Sequence, residues 1–353
     1  MDDASNPRAQ CKADVTVVAG ACGPERHQYA RSLARREGRV LFDASRIAGD
    51  PDAVVRWLHG RALSADPRDA VVEAPLHADM THLIGEYADP GGGTQLSGII
   101  AVVDALHLIA DLRGEDYVVT DLTRRGVRDE ARFTARAQLM VQQIEYASAV
   151  VLVSSDGLSA QQIGLLQGLI SHLSPHAAIV TARQEPAGRS GQLYTQDQTR
   201  PGWVCLLNSD FRPAHDHPRV LSLRYETPRA FHPKRLKALL DGPVEHEEFG
   251  KLIRSSGFCR LATRPHITAH WEHVGTLFSM SPLTFDHQMT DPEEILAFGQ
   301  DLALTGIDLD HEGLTSALDE ALLTDEELAA GPSRWSSFAD PFPGWATSSE
   351  ADG

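Results

Sequence analysis

The sequence predicts an α/β protein with a doubly wound, mostly parallel sheet, followed by a second, smaller α+β domain. From Asp14 to Arg183, short β-branched runs alternate with longer segments whose apolar residues recur at helical spacing, which is the pattern of βαβ units. Residues 184–218 are rich in Gly, Pro, Asp and His and have little periodicity, which indicates a linker. With 353 residues, the chain is long enough for two hydrophobic cores.

In the first domain, strands are expected to alternate with helices. The strand candidates are Val15–Ala19, Val40–Phe42, Ala70–Glu73, Ile99–Asp104, Ala149–Val153 and Ala177–Thr181. The helix candidates are Glu25–Arg36, Asp52–Leu63, Ala131–Ala147 and Ser159–Leu173. Strands that alternate with helices in this way form a parallel sheet, so one doubly wound domain accounts for the whole segment.

The second domain has a different order of elements. Arg219–Tyr225 and Phe258–Thr263 are strand candidates, and Pro233–Leu240 is a helix with proline in its first turn. Glu312–Ala330 is predicted to be helical, and Glu293–Gly299 is a further candidate element. This mixture predicts a small α+β domain.

The domain boundaries follow from these changes in pattern. We predict a first domain at 13–183, the linker at 184–218, a second domain at 219–332 and a tail at 333–353. The tail is expected to be extended and carries an aromatic cluster made of Trp335, Phe338, Phe342 and Trp345. Such a cluster either clamps the tail onto the second domain or forms a surface for docking another protein.

The overall composition is that of an acidic globular protein, with 42% hydrophobic residues, 23% charged residues and a net charge of −17. Because this charge repels phosphate backbones, no direct sequence-specific contact with nucleic acid is expected. No segment approaches the roughly 20 apolar residues of a membrane span, and the first twelve residues lack an apolar signal core. We therefore expect a cytoplasmic protein without membrane contact.

The cysteines and histidines give little indication of a metal site. Four cysteines are scattered without a CxxC or CxCC pair, which predicts free, mostly buried thiols. His266, His270 and His273 have a spacing that could place two zinc ligands on one helical face. Pro265 and the β-branched Ile267 argue against a continuous helix there, so a structural role is favoured over a metal site.

The loop after the first strand lies where an α/β sheet can bind phosphate. A working P-loop has the pattern G-x-x-x-x-G-K-[ST], and Gly20 fits its first position. Glu25 replaces the second glycine, Arg26 replaces the lysine, and His27 replaces the hydroxyl that would hold magnesium. These changes favour a strand-to-helix turn without a ligand, with weak or unusual nucleotide binding as the alternative.

Motifs along nearly the whole chain occur in the same order as in a known family. One strand ends in Val102-Val103-Asp104-Ala105, and the other matching segments are Gln138–Ala147, Val150–Val153, Asp156–Leu158, Leu173–Ala177, Phe231–Leu236, Arg254–Trp271, Ala321–Glu327 and Asp340–Phe342. In this order they resemble the CobW family of metal-handling GTPases. The resemblance implies a P-loop-like sheet joined to a CobW C-terminal domain.

The departures from the CobW pattern fall on the residues that would carry GTP hydrolysis and metal transfer. Of the guanine motif N-K-x-D, only the aspartate remains, as Asp156. After the third strand the family has a carboxylate and a Thr/Ser-Gly turn, whereas this chain has Glu73-Ala74-Pro75, and proline lacks the amide donor. The CxCC metal motif is absent. The resemblance therefore implies a pseudo-GTPase with no catalytic residues and no thiolate metal site.

The residues that remain at the implied nucleotide site are interpreted as vestigial. They are Gly20, Gly23, Arg26, His27, Glu73, Asp104 and Asp156. Asp104 follows a strand, where a carboxylate can either serve magnesium or cap a helix, and both interpretations stay open. We expect no resident cofactor, with weak binding of GTP or zinc as the alternative.

The final segments of the chain point to one branch of the family. At Ala321–Glu327, Arg334-Trp335, Asp340–Phe342 and Trp345 the chain resembles the ribosome hibernation factor-recruiting factors made during zinc limitation. The resemblance implies a non-catalytic adaptor of this stress response, which brings a hibernation factor to the ribosome through protein contacts. The alternative is a residual nucleotide-dependent zinc metallochaperone of CobW type. No Ser/His/Asp order suggests a hydrolase.

Overall fold

A computed structural model describes residues 12–49, 54–58, 60, 68–121, 132–182, 193–197, 199–285 and 299–345. They form two compact units. The first unit comprises Met1–Asp111, Asp116–Leu166 and His176–Pro201, and the second comprises Leu112–Glu115, Gln167–Pro175 and Gly202–Gly353. The first contains a parallel sheet flanked by helices and the second a separate antiparallel sheet, so the predicted α/β fold class is confirmed.

The sheet of the first unit has six parallel strands in the order β2-β3-β1-β4-β7-β8. The strands are β1 Ala13–Ala19, β2 Val40–Phe42, β3 Ala70–Glu73, β4 Thr94–Asp104, β7 Ala149–Val153 and β8 Ala178–Thr181. Every residue of β1 is buried because the strand lies inside the sheet with β3 and β4 on its two sides. This burial explains the continuous apolar runs in the sequence.

Among the described residues of the first unit, two helices begin and end within two residues of their predicted bounds, whereas three others were not predicted. The helices are α1 Gly23–Glu37, α2 Ala44–Gly49, α3 Met80–Tyr87, α4 Leu108–Asp111, α5 Arg136–Glu145 and α6 Ala160–Leu173, the last of which continues into the second unit. Proline in the first turn suits the start of α1, and Gly38, at a φ of 65°, caps its end. Residues 54–58 are also helical, whereas the rest of the helix predicted at Asp52–Leu63 lies mostly outside the described residues.

Two elements in this unit begin at other residues than predicted. The helix predicted at Ala131–Ala147 begins only at Arg136, because β6 Arg132–Ala135 pairs with β5 Tyr117–Asp121 as a two-stranded antiparallel ribbon. The strand predicted at Ile99–Asp104 begins earlier, at Thr94, because its first half pairs with β1 across a register shift. In both cases pairing with a distant strand overrides the local pattern.

The sheet of the second unit has five antiparallel strands in the order β12-β11-β10-β13-β9. They are β9 Val220–Thr227, β10 Lys251–Cys259, β11 Ile267–Val274, β12 Leu277–Phe285 and β13 Gln300–Ile307. One face of this sheet buries Trp271 and Phe231 in the main core of the unit. The strand predicted at Phe258–Thr263 was misplaced, since β10 ends at Cys259 and a turn follows.

The helices in the described part of the second unit are α7 Gly202–Leu207, α8 Pro233–Leu239, α9 His311–Glu320, α10 Asp325–Ala330 and α11 Pro332–Trp335. They differ from the prediction in two places. The single helix predicted at Glu312–Ala330 is broken because Thr324 and Glu327 form a capping box that starts a new helix. Helix α7 lies in the segment that the sequence suggested as linker, and its Cys205 is buried. The candidate element at Glu293–Gly299 falls almost entirely outside the described residues.

The aromatic residues near the end of the chain pack onto the second unit. Phe342 is 8% exposed and belongs to the core cluster. The Trp345 indole donates a hydrogen bond to the Met280 carbonyl (3.1 Å), and the Arg264 guanidinium lies 4.1 Å from the centre of its ring. Asp340 accepts a hydrogen bond from Arg264 (2.9 Å). Of the two roles considered for the aromatic cluster, these contacts correspond to the clamp.

None of the helices in the described part of the chain combines the length and the apolar character that crossing a membrane would require.

Replacing Phe342 with alanine should destabilise the second unit. The substitution leaves a cavity in the core beside Phe278, and deletion of a buried phenyl ring costs about 3 kcal/mol or more. The free energy of unfolding would be measured by denaturant titration. Leu328→Ala, at a position that is 42% exposed, is the matched control and should change it by less than about 0.5 kcal/mol. Equal stability of the two variants would contradict the clamp.

Candidate functional site

The loop between β1 and α1 approaches the neighbouring strand very closely. Gly20 has a φ of 146°, and a Cβ atom added there would lie 2.2 Å from the carbonyl oxygen of Val102 on β4. Only glycine fits this position, as the first position of the P-loop pattern requires. Gly23 differs, since a Cβ added there would meet nothing within 4 Å. The turn of a phosphate-binding loop is therefore kept in part.

Arg26 lies in the first turn of α1 and is 8% exposed. Its Nη1 donates a hydrogen bond to the Gly20 carbonyl oxygen (2.6 Å), and its Nε donates to Oε1 of Glu73 (3.1 Å). In a working P-loop the lysine at this position extends to the outer phosphates. Here the guanidinium donates to acceptors within the protein, so its charge is already compensated.

Glu73 is the last residue of β3 and is 2% exposed. Besides the bond from Arg26, its Oε2 accepts hydrogen bonds from Nδ1 of His27 (2.8 Å) and the backbone N–H of Ala44 (3.4 Å). A carboxylate only accepts, so Nδ1 of His27 carries the proton. The carboxylate is held by three donors from two different segments of the chain.

These contacts decide what the loop can do chemically. Arg26 and His27, which replace the phosphate lysine and the magnesium hydroxyl, are both bound to the same carboxylate. A phosphate group placed at this loop would be repelled by the negative charge of Glu73. To bind Arg26, it would have to break the ion pair between Arg26 and Glu73. Removing one partner from a buried ion pair costs about 3–5 kcal/mol. The residues therefore do not fit GTP with magnesium.

Asp104 is the last residue of β4, and its carboxylate accepts two hydrogen bonds from the turn that follows. Its Oδ1 accepts the N–H of Leu106 (3.0 Å) and its Oδ2 accepts Nδ1 of His107 (2.8 Å). The hydrogen bond to the carboxylate raises the pKa of His107 above its usual value. Both hydrogen bonds lie within the turn from Asp104 to His107, which precedes helix α4.

Cys22, in the same loop, is not a preformed metal ligand. Its thiol donates to the Val102 carbonyl oxygen (3.3 Å), and burial, reinforced by Glu25, raises its pKa to about 11. Such a thiol stays protonated at neutral pH, whereas zinc binds the thiolate. Among the residues that the structure describes, no group of three or more His, Cys, Asp or Glu side chains could hold a metal ion.

The three histidines near 270 do not form a helical face. Ile267–Val274 is strand β11, so His270 and His273 project to opposite faces of the sheet, and His266 precedes the strand. His273 is buried, whereas His270 lies near Trp203. The strand geometry removes the basis for the zinc hypothesis that their spacing suggested.

A cavity of about 210 Å³ lies beside the loop, lined by Gly20, Ala21 and Cys22 and by residues of β4 and α5. Asp104 lines it, whereas Asp156, on a short turn after β7, does not and is exposed. The cavity is smaller than typical small-molecule pockets of about 300–1,000 Å³. The structure thus brings together five of the seven vestigial residues, with Asp104 at the adjacent cavity and Asp156 apart.

Two polar residues among those of α5 that line this cavity were not predicted as site residues. They are Arg136 and Gln143. Gln143 is buried, its Nε2 donates to the Leu76 carbonyl oxygen (3.0 Å), and its Oε1 has no hydrogen-bond partner. A polar residue on the apolar face of the predicted helix was the only sequence indication of this position.

Comparison with known proteins gives one family match and several relatives. Residues 220–322 match the family described as "Cobalamin synthesis protein cobW C-terminal domain". The chain is 25% identical over 280 residues to zinc-regulated GTPase metalloprotein activator 1 of Dictyostelium discoideum, covering 70% of this chain and 56% of that protein. It is also 25% identical over 276 residues to zinc chaperone Rv0106 of Mycobacterium tuberculosis, covering 71% and 62%.

The chain thus spans less than two thirds of the length of these curated relatives. Among solved structures, the Zn(II)-bound YjiA GTPase from E. coli is 14% identical, with a TM-score of 0.35 over 88% of this chain and 99% of that one. The family match and the two relatives support the CobW-like resemblance over most of the sequence.

Replacing Arg26 with methionine should destabilise the first unit by about 3–5 kcal/mol, because Glu73 would stay buried without its guanidinium partner. Arg31→Met, at an exposed position on the same helix, is the matched control and should cost less than about 0.5 kcal/mol. Adding Glu73→Gln to Arg26→Met should cost less than the sum of the two single changes. Chemical denaturation gives the free energy of unfolding of the unmodified chain, the three single variants Arg26→Met, Arg31→Met and Glu73→Gln, and the double variant. If Arg26→Met is as stable as Arg31→Met, the ion pair has no structural role.

Proposed function

Because the chain is CobW-like in sequence, we propose that it serves zinc homeostasis as a nucleotide-independent adaptor, which acts by binding other proteins and does not hydrolyse GTP. The observation that carries the proposal is the buried ion pair between Arg26 and Glu73. Glu73 also binds His27, so one carboxylate holds both residues that stand where a CobW-type GTPase has its phosphate lysine and its magnesium hydroxyl. The fold persists while the chemistry of the loop is changed, as is common for protein folds.

The loss of hydrolysis follows from what phosphoryl transfer needs. Catalysis depends on a lysine and magnesium that neutralise the phosphates, and on a loop that lets the backbone come close. Glu25 stands in place of the second glycine, His27 in place of the hydroxyl, and Arg26 is bound to Glu73. Three requirements fail at one loop, and repairing one of them would leave the other two.

The link to zinc rests on the relatives. One is named a zinc-regulated GTPase metalloprotein activator and another a zinc chaperone. The resemblance to ribosome hibernation factor-recruiting factors adds the partner: a hibernation factor that the adaptor brings to the ribosome when zinc is limiting. The net charge of −17 favours contacts with protein over contacts with RNA.

The β5–β6 ribbon offers a surface for such contacts. Val119 is opposite Phe133 in the register, and Tyr117 lies two residues before Val119, so the three side chains share one face. Their exposed fractions are 45%, 65% and 58%, respectively. Exposed aromatic and β-branched residues on one face are typical of protein-docking surfaces. The ribbon therefore replaces the tail as the docking surface in this proposal.

A residual nucleotide-dependent zinc metallochaperone is the second candidate. It is favoured by the strained turn at Gly20 and by the cavity beside it, in which Oε1 of buried Gln143 has no partner. Under this alternative, nucleotide would bind weakly and displace Arg26 from Glu73. Nucleotide titration separates the two candidates.

Titration of the full chain with a fluorescent GTP analogue, with and without magnesium, should give no saturable binding up to about 1 mM, because the cation of Arg26 is already paired. Hydrolysis should stay at the buffer background. A CobW protein with an intact G-x-x-x-x-G-K-[ST] loop, measured in the same assay, is the positive control. Magnesium-dependent binding in the micromolar range would favour the metallochaperone.

Polar substitution of the ribbon should weaken the partner interaction. Tyr117→Ser combined with Phe133→Ser should reduce co-sedimentation with purified ribosomes and the hibernation factor by about tenfold or more, because two aromatic contacts are lost. Leu283→Ser, at a position that is 56% exposed on β12, is the control. Unchanged melting temperatures would show that all variants fold. Undiminished co-sedimentation of the double variant would rule out the ribbon as the docking surface.

A further inference from the structure

The second unit contains a cavity of about 390 Å³ that none of the preceding functions uses. Its walls come from α8 and the π-helical turn after it, from the start of β10, the end of β11 and the start of β12, and from Phe342 near the end of the chain. This volume lies within the range of pockets that bind small organic molecules. The cavity therefore has room for a ligand.

The lining of this cavity combines buried apolar side chains with charged side chains that reach the solvent. Leu240, Leu252 and Phe342 are each at most 9% exposed. The charged residues of the lining are all exposed or half-buried, and they are Arg113, Lys237, Asp241, Glu245, Glu247 and Lys251. A ligand that suits both parts has an apolar portion together with charged groups on its solvent side.

The charges around the cavity are balanced, since the lining has three cations and three carboxylates. Arg113 is paired with Glu247, and Lys237 is paired with Asp241. His273, which also lines the cavity, is neutral because burial lowers its pKa to about 4. With equal numbers of charges of each sign, the lining as a whole favours neither an anion nor a cation.

Glu245 and Lys251 are the two charged residues of the lining that lack a close partner. Among the described residues, none forms an ion pair or a side-chain hydrogen bond with the carboxylate of Glu245. The one ion pair that Lys251 forms with a described residue is with Glu247 at 4.0 Å, and Arg113 lies closer to that carboxylate. Glu245 is exposed, and the Lys251 side chain is 45% exposed. A ligand in the cavity can therefore reach both groups.

We infer that this cavity binds a small zwitterion with an apolar side group, of which a free α-amino acid with an apolar side chain is the simplest kind. Its ammonium group pairs with Glu245 and its carboxylate pairs with Lys251. Its side chain contacts the buried apolar part of the lining, including Leu240 and Phe342. Such a ligand brings one charge of each sign and leaves the cavity balanced. The site does not involve the loop at Gly20 and goes beyond the proposed adaptor role.

Phenylalanine, phenethylamine and 3-phenylpropionate form a matched set of probes. They share the phenyl group, and they carry both charged groups, only the ammonium and only the carboxylate, respectively. Titration of the full chain, followed by NMR, should give a dissociation constant of about 1 mM for phenylalanine. The other two should bind about threefold to fivefold more weakly, because each ion pair near the solvent contributes modestly. The perturbed amides should include Gly275 and Thr276, which line the cavity, and exclude Gly20.

Two variants test the two ion pairs separately. Glu245→Gln should abolish the preference for phenylalanine over 3-phenylpropionate, because the ammonium group loses its partner. Lys251→Gln should abolish the preference for phenylalanine over phenethylamine, because the carboxylate loses its partner. Glu248→Gln, at an exposed position that does not line the cavity, is the matched control and should leave all three dissociation constants unchanged. Thermal melts check that each variant is folded.

Three outcomes would overturn the inference. The first is the absence of saturable phenylalanine binding up to about 10 mM. The second is equal binding of the three probes to the unmodified chain. The third is a preference for phenylalanine that survives both Glu245→Gln and Lys251→Gln.

Discussion

The buried ion pair between Arg26 and Glu73 determines the state of the loop after β1. Because β1 and β3 are neighbours in the parallel sheet, the carboxyl end of β3 lies beside the first turn of α1. Arg26 meets Glu73 there, away from solvent. Loss of either partner would leave a buried charge uncompensated, which costs much more than an exposed ion pair contributes. The close approach at Gly20 fixes the loop, and the pair holds the Arg26 guanidinium on a carboxylate of the protein.

The same compensation of charge recurs in the second unit. Arg264 holds Asp340 and thereby anchors the end of the chain. Arg113 is likewise paired with Glu247, and Lys237 with Asp241. In a chain with a net charge of −17, basic side chains have many acidic partners available. A basic group that is paired inside the fold is not free to bind phosphate, whether from a nucleotide or from nucleic acid.

The chain is CobW-like in sequence, and its loop after β1 departs from the P-loop pattern at Glu25, Arg26 and His27. The β5–β6 ribbon exposes Tyr117, Val119 and Phe133 on one face.

The sequence by itself determined the buried parallel strands, since Ala70–Glu73 and Ala149–Val153 are continuous apolar runs bounded by polar turns. It also determined the loss of the phosphate lysine at position 26. Only the tertiary structure decided that Arg26 pairs with Glu73, because the two lie 47 residues apart and sheet order brings them together. The antiparallel strand Ile267–Val274 likewise escaped prediction, since its mixed polar and apolar residues become a strand only by pairing with distant segments.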